Sequence, residues 1–421
     1  MNILDLFANQ NSDSIKLHKQ LLKAFPDIKI ESMPQQQPFQ FVWKLWIQQA
    51  KDHWNADAGF FRQQVLLYHR GFKKPNVLVT EGYNINDRIY EPSLILDGNQ
   101  ISVEYRFYGA SKPLSIPWKL LNHKQALHDY YKIQKGLQLI YKKNWLVTGI
   151  SKGGTTAALY SLTYPDLVNA TIAYVAPFVT EQEDKRTIDH YTKWVGSPEC
   201  RQKVKSFQRL LLNYRVQLKP MLSELGKRDQ VKFELDLDKV IDYTALEYPF
   251  SFWQWGFGCK EIPDEKASVE EVFDHVEEVV DFNYYDDRTC ALFLPAYFQF
   301  MTEYGYYGFD TTGLSNLLLH QYFSNLEFCP KDADLGYNGS YMKEMLDKAT
   351  NQSKNIIYIY GGLDTWTSCA VHPSPTTNAF KLVKYNGGHR TRLRDFSKSE
   401  KDQVYKLLKK WMRTNTEPLP Y

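Results

Sequence analysis

Apolar residues recur along the chain with two different periods, and the change of period outlines the fold. Residues 13–25 (DSIKLHKQLLKAF) carry apolar positions at helical spacing and predict a short amphipathic helix. Residues 60–69 (FFRQQVLLYH) and 76–80 (NVLVT) are rich in β-branched and aromatic side chains and are bounded by Lys-Pro and Gly, which predicts strands. Residues 100–107 (QISVEYRF) predict another, with Gly98 marking the turn before it. From Lys119 to Lys143 the spacing becomes helical again, through Leu120, Leu121, Leu127, Tyr131, Ile133, Leu137 and Ile140. A short apolar strand (Trp145–Ile150), a helix-like stretch (152–163) and a strand (171–176) ending at Pro177 follow.

The rhythm changes after that. Between about Thr180 and Pro330 the pattern gives helices and loops but few strands. Ser268 followed by Glu271 is a capping box that opens a helix with apolar Val269, Val272, Phe273, Val276 and Val280. Strand and helix then alternate once more: helix 342–349, strand 355–360, strand 380–385, helix 398–412. This order predicts a doubly wound sheet with a helical insert. The expected organisation is a core of residues 40–179 and 331–421, a helical cap over 180–330, and an N-terminal extension over 1–39.

Composition narrows the class without choosing the function. Hydrophobic residues at 43% and charged residues at 24% exclude a disordered chain, and a net charge of +3 gives no global reason to expect nucleic acid or an anionic membrane as partner. The longest apolar stretch, Ala291–Met301, falls short of the roughly 20 residues that span a bilayer and contains Pro295. The first residues (MNILDLFANQNSDS) show no basic-then-apolar signal pattern. Five cysteines without a C-x-x-C suggest neither a zinc ribbon nor a thioredoxin-like site; a single disulfide fits but cannot be paired from spacing. Neither H-E-x-x-H nor a P-loop occurs, so no metal or organic cofactor is expected.

The chemistry concentrates at Gly149-Ile150-Ser151-Lys152-Gly153-Gly154, a G-x-S-x-G between a predicted strand and a predicted helix. A serine on such a sharp turn needs glycine neighbours and is presented above the carboxyl edge of the sheet. The backbone N–H of Lys152, at the helix start, is placed to stabilise a developing oxyanion. In an α/β-hydrolase the acid and then the histidine follow the serine in the chain. His389, after strand 380–385 and Asn386-Gly387-Gly388, is favoured over His372 in a Pro-rich loop and His320 within the insert. Asp364, at the end of strand 355–360, is favoured over Asp395 and Asp334. The loop Thr80-Glu81-Gly82-Tyr83-Asn84 supplies a second oxyanion donor through Gly82 or Tyr83. The fold expected is therefore an α/β-hydrolase with its cap inserted after the sixth core strand.

The run from Ile47 to Arg106 (IQQAKDHWNADAGFFRQQVLLYHRGFKKPNVLVTEGY…EPSLILDGNQISVEYR), TGISKGG (Thr148–Gly154), YVAPF (Tyr174–Phe178) and GGLDTW (Gly361–Trp366) together resemble the bacterial secreted tripeptidyl aminopeptidase family. That family is a distant relative of prolyl carboxypeptidase. The resemblance covers roughly residues 40 to 410. It implies an α/β-hydrolase core, a helical cap, a triad at Ser151, Asp364 and His389, cleavage of short peptides from a free N-terminus, and export to the periplasm or beyond. The chain departs from the family pattern at Glu104-Tyr105-Arg106, His128-Asp129-Tyr130-Tyr131 and Asp364-Thr365-Trp366, none of which removes a triad group. The rival readings are an esterase or lipase, a prolyl-specific carboxypeptidase-like enzyme, and a non-catalytic binding protein. The loop reading EGYN rather than HGGG weighs against a lipase.

The insert carries the candidate specificity residues. Its aromatic group, including Trp253 and Trp255, reads equally as cap core or substrate wall, and Trp366 stands beside the candidate acid. From Glu261 to Asp287 there are eleven acidic residues against one lysine, which reads first as a solvated face. Asp286, Asp287, Glu81 and Glu91 are the candidate anchors for a peptide amine. Glu81 has a second reading, a buried ion pair with Arg106. The expected partner is a peptide; the sequence gives no oligomeric state.

Overall fold

The computed structural model describes residues 12–414. Nine strands form one sheet in the order β1-β2-β3-β5-β4-β6-β7-β8-β9. They are β1 (Lys29–Met33), β2 (Phe41–Ala50), β3 (Phe60–His69), β4 (Asn76–Thr80), β5 (Asn99–Val103), β6 (Trp145–Ile150), β7 (Ala170–Tyr174), β8 (Ile356–Gly361) and β9 (Phe380–Lys384). Pairing is antiparallel from β1 to β5 and parallel from β5 to β9. This is the mixed sheet of an α/β-hydrolase. Counted from β2, the long insert follows the sixth strand as expected; β2 and the edge strand β1 were not revealed by the hydrophobic pattern.

Successive side chains of a strand point to opposite faces, and here both faces are buried. Val77 and Val79 of β4 and Ile357 and Ile359 of β8 join one core cluster, while Leu78, Ile356, Tyr358 and Tyr360 join the other. The helices α1 (Ser12–Ala24), α2 (Glu91–Ile95), α3 (His123–Leu137) and α4 (Lys152–Thr163) precede the insert. Leu17 and Leu21 of α1 are fully buried in the larger cluster. The insert supplies α5 (Lys185–Asp189), α6 (Pro198–Asn213), α7 (Arg215–Asp229), α8 (Leu237–Trp255), α9 (Val269–Val279) and α10 (Asp287–Gln299). The chain then returns to the core through α11 (Ser340–Asn351) and closes with α12 (Lys398–Met412), which packs its Val404, Leu408 and Trp411 into the smaller cluster.

One predicted strand is shorter than expected, and one cysteine pair that the spacing left open is bridged. The strand predicted over 100–107 stops at Val103, because the next residue turns the chain into a loop. The buried Glu104 carboxylate gathers that loop, accepting from the N–H of Ile85, the N–H of Ser111 and the Ser111 hydroxyl. Cys200 and Cys259 form a disulfide that ties the start of α6 to the segment after α8. Among the described residues, no helix is long and apolar enough to cross a membrane.

Candidate active site

Four loops leave the carboxyl ends of β4, β6, β8 and β9 and meet at one edge of the sheet, which is where such folds bind ligands. The loop after β6 is the sharpest. Ser151 has φ 59° and ψ −129°, a conformation that non-glycine residues avoid and that costs of order 1–3 kcal/mol. It is held there by its own N–H donating to the Tyr174 carbonyl at 2.9 Å and by its carbonyl accepting from Thr155 N–H at 3.0 Å. A Cβ on Gly149 would stand 2.1 Å from the Gly153 carbonyl oxygen, so strand and helix pass too closely for any side chain at that position.

The loop after β4 closes on the same turn. A Cβ on Gly82 would lie 2.6 Å from Gly153 N, so the backbone of Gly82 sits against the first turn of α4. The first-turn N–H groups of a helix have no intrahelical acceptor, and Lys152 N–H is one of them. The Lys152 side chain has a second role that the motif did not suggest. It is buried, its Nζ donates to the Gly82 carbonyl at 2.7 Å, and it lies 3.3 Å from the centre of the Tyr105 ring. Burial pushes its pKa well below the usual lysine value. The lysine therefore straps the 82–83 loop to the serine turn.

The loops after β8 and β9 bring acid and imidazole together. Asp364 Oδ2 is 2.7 Å from His389 Nδ1, and Asp364 Oδ1 accepts from Trp366 N–H at 3.1 Å. Asp364 is fully buried and His389 nearly so. The His389 N–H donates to the Gln254 carbonyl at 2.6 Å, so the histidine loop is pinned to the C-terminal end of α8. The other candidates lie in other surroundings. His320 pairs with Asp242, His372 faces Lys381, Asp395 caps the turn at Arg392, and Asp334 accepts from Gly336 N–H.

Ser151 and His389 line one cavity of about 490 Å³ beneath the insert, with Glu81, Gly82, Tyr83, Trp255 and Trp366 among its other walls. Several expected binding residues lie elsewhere. Glu91 accepts from the Tyr174 hydroxyl and from the N–H groups of Leu393 and Arg394, which fastens loops behind the sheet edge. Trp253 is buried in the cap core, its ring against Gly196. Asp286 caps α10 through Thr289 N–H, and Asp287 accepts from Lys232 N–H. None of these four walls the cavity. Glu81 does, but it is already engaged: the Tyr90 hydroxyl donates to it at 2.7 Å and Arg88 stands 4.0 Å away. The expected pairing of Glu81 with Arg106 is not formed, because Arg106 is bound to Asp129.

The cavity also contains residues that the motifs did not single out. Glu247, Ser251 and Gln254 line it from one face of α8, at helical spacing, beside the expected Trp255 and the Phe250 of the same aromatic run, and Tyr284, Tyr306 and Tyr307 close it from the rest of the insert. Burial raises the Glu247 pKa to about 7, opposed by the nearby hydroxyls of Tyr307 and Ser251. The sequence signal for Glu247 was negative: it is the lone carboxylate amid an aromatic, apolar run. Among the described residues there is no cluster of three His, Cys, Asp or Glu suited to a metal ion.

A model of the family described as PS-10 peptidase S37 matches residues 11–378. A prolyl tri/tetrapeptidyl aminopeptidase of Streptomyces mobaraensis is 32% identical over 326 residues, covering 76% of this chain and 68% of the relative. Among solved structures, a proline iminopeptidase of Mycobacterium smegmatis aligns at 12% identity and TM-score 0.39, over 84% of this chain and 96% of its own. An esterase of Pyrococcus furiosus aligns at 11% identity and TM-score 0.40, over 93% of each chain.

Proposed function

The chain belongs to the S37 peptidase family, and from that premise we propose that it releases tripeptides from the free N-terminus of peptides, with Ser151 as nucleophile, His389 as base and Asp364 as orienting acid. The observation that carries this reading is the 2.7 Å Asp364–His389 pair, whose imidazole lines the same cavity as a serine in a strained turn. A hydroxyl is a weak nucleophile at neutral pH and needs an adjacent base. With Nδ1 engaged by Asp364, the Nε2 of His389 takes the Ser151 proton as Oγ attacks the scissile carbonyl. The carboxylate fixes the tautomer and stabilises the imidazolium that forms. The developing oxyanion is received by Lys152 N–H and by the Gly82–Tyr83 backbone, which the Lys152 side chain holds in place. Collapse of the tetrahedral species transfers the proton from Nε2 to the leaving amine. Water, activated by the same imidazole, then hydrolyses the acyl-enzyme.

The insert acts as a lid. It roofs the cavity, excludes water and limits entry to a chain end, since a volume of about 490 Å³ accommodates a few residues. Tripeptide length is one of the two lengths, three and four residues, in the name of the Streptomyces relative. The Cys200–Cys259 disulfide supports an oxidising, extracytoplasmic location.

Matched chromogenic peptide amides of one to four residues, each with a free or acetylated amine, test the reading, with an ester run beside them. The expected result is hydrolysis of free-amine tripeptides well above all others. Equal cleavage of acetylated peptides, or of the ester alone, would overturn it.

A further inference from the structure

Glu247 is a cavity carboxylate for which the triad has no use. It stands in the second half of α8 and is only 5% exposed. Its Oε1 accepts from the Ser251 hydroxyl at 2.7 Å, whereas its Oε2 has no hydrogen-bond partner among the described residues. Burial, Tyr307 and Ser251 account for its environment, and no cation contributes to it. A buried carboxylate oxygen without a partner is costly, and proteins retain one chiefly where a ligand completes it. The neighbouring cavity carboxylate, Glu81, provides the contrast, because Tyr90 and Arg88 already occupy it. Around Glu247 the walls are aromatic hydroxyls and rings, including Tyr284, Tyr306 and Tyr307, which suit a cationic group stripped of water.

The helix that carries Glu247 also sets its distance from the chemistry. Seven residues along α8, the Gln254 carbonyl binds the backbone of His389. Seven residues of helix rise about 10 Å. An extended peptide advances about 3.3–3.6 Å per residue, so about three residues bridge that interval.

We propose that Glu247 is the anchor for the substrate's terminal ammonium, and that α8 is the ruler placing the carbonyl of the third residue at Ser151. The inference rests on the exopeptidase reading above. It gives that reading its specificity: an acetylated amine brings neither charge nor donors enough to satisfy Oε2, and a longer or shorter chain misplaces the scissile bond.

The test is the ratio of kcat/KM for a free-amine tripeptide p-nitroanilide to that for its N-acetyl counterpart, in the wild type, E247Q and E247D. Active enzyme in each is counted by fluorophosphonate titration. Removing a charge-assisted bond should lower the ratio in E247Q about 10- to 100-fold, through KM more than kcat, while E247D should fall between the two. A wild-type ratio in E247Q, or parallel loss of both substrates, overturns the assignment. If E247Q does not fold, an intermediate ratio in E247D supports the anchor and a wild-type ratio contradicts it. A wild type that does not prefer the free amine defeats the exopeptidase reading itself, so the two failures are told apart.

Discussion

At the scale of single residues, the site rests on side chains whose partners leave them one remaining capacity each. Asp364 spends one oxygen on Trp366 N–H and the other on His389, which leaves the imidazole with a single uncommitted nitrogen. Replacing Asp364 with Asn removes the charge that stabilises imidazolium and favours the wrong tautomer. We expect kcat to fall by roughly 10⁴ with the fold intact, checked by steady-state kinetics beside circular dichroism. Ser151→Ala and His389→Ala should each lose about as much as the double variant, because groups acting as a unit do not contribute additively. Additive losses would separate the two residues. Motif, chain order and strand ends all converge in the sequence on these three candidate positions. Lys152 was legible only in part. Its N–H followed from the motif, but the burial of its Nζ against Tyr105 and the Gly82 carbonyl depends on a loop 70 residues away. Glu247 was invisible for a physical reason: a lone carboxylate in an apolar run has no spacing signature, and only the three-dimensional surroundings show that its second oxygen lacks a partner among the described residues.

At the scale of elements, strands with both faces buried or strict β-branched runs were readable, whereas β1 and β2 were not. β2 mixes Lys44, Gln48 and Gln49 with aromatic residues, and its polar positions are satisfied by tertiary contacts that a local pattern does not contain. Gln49, for instance, bonds Gln63 across the sheet at 3.0 Å and the Asp129 carbonyl at 3.1 Å. The same region holds a buried ion pair between the loop after β5 and α3. Asp129 of α3 accepts from Arg106 Nε at 2.8 Å and meets His53 Nε2 at 2.6 Å, with both Arg106 and Asp129 fully buried. Removing one member leaves an uncompensated buried charge. Asp129→Asn should therefore cost about 3–5 kcal/mol in stability, measured by urea unfolding. A loss below 1 kcal/mol would show that the pair is solvated in solution.

At the scale of the whole molecule, the doubly wound order and the insert were legible because the period of the apolar pattern changes where the chain leaves the sheet and changes back where it returns. What the pattern could not supply was the way the insert faces the sheet. Candidate anchors chosen by sequence, Glu91, Asp286 and Asp287, proved to be caps and loop fasteners, since a local reading gives charge but not direction. The folded molecule buries Glu81 and Glu247 and half-buries Glu303, and loss of hydration raises each to about 7. An acid whose pKa is higher folded than unfolded binds protons more tightly in the native state. Its contribution is complete below the unfolded value near 4.5 and is lost as pH rises through about 7. Stability should thus decline between about pH 5 and pH 7.5, and E247Q should flatten that slope by up to about 3 kcal/mol. Thermal unfolding across this range checks it; an identical slope in wild type and variant would remove Glu247 from the account.

The central claim is that Ser151 is the nucleophile inside a pocket that holds a free-amine peptide end. The most direct measurement is labelling with a fluorophosphonate, followed by intact mass and peptide mapping, in the presence and absence of a non-hydrolysed free-amine tripeptide. The account predicts one equivalent of label on Ser151, slowed by the tripeptide and not by its acetylated form. Label on another residue, or labelling of Ser151 that the free-amine tripeptide does not slow, would contradict it.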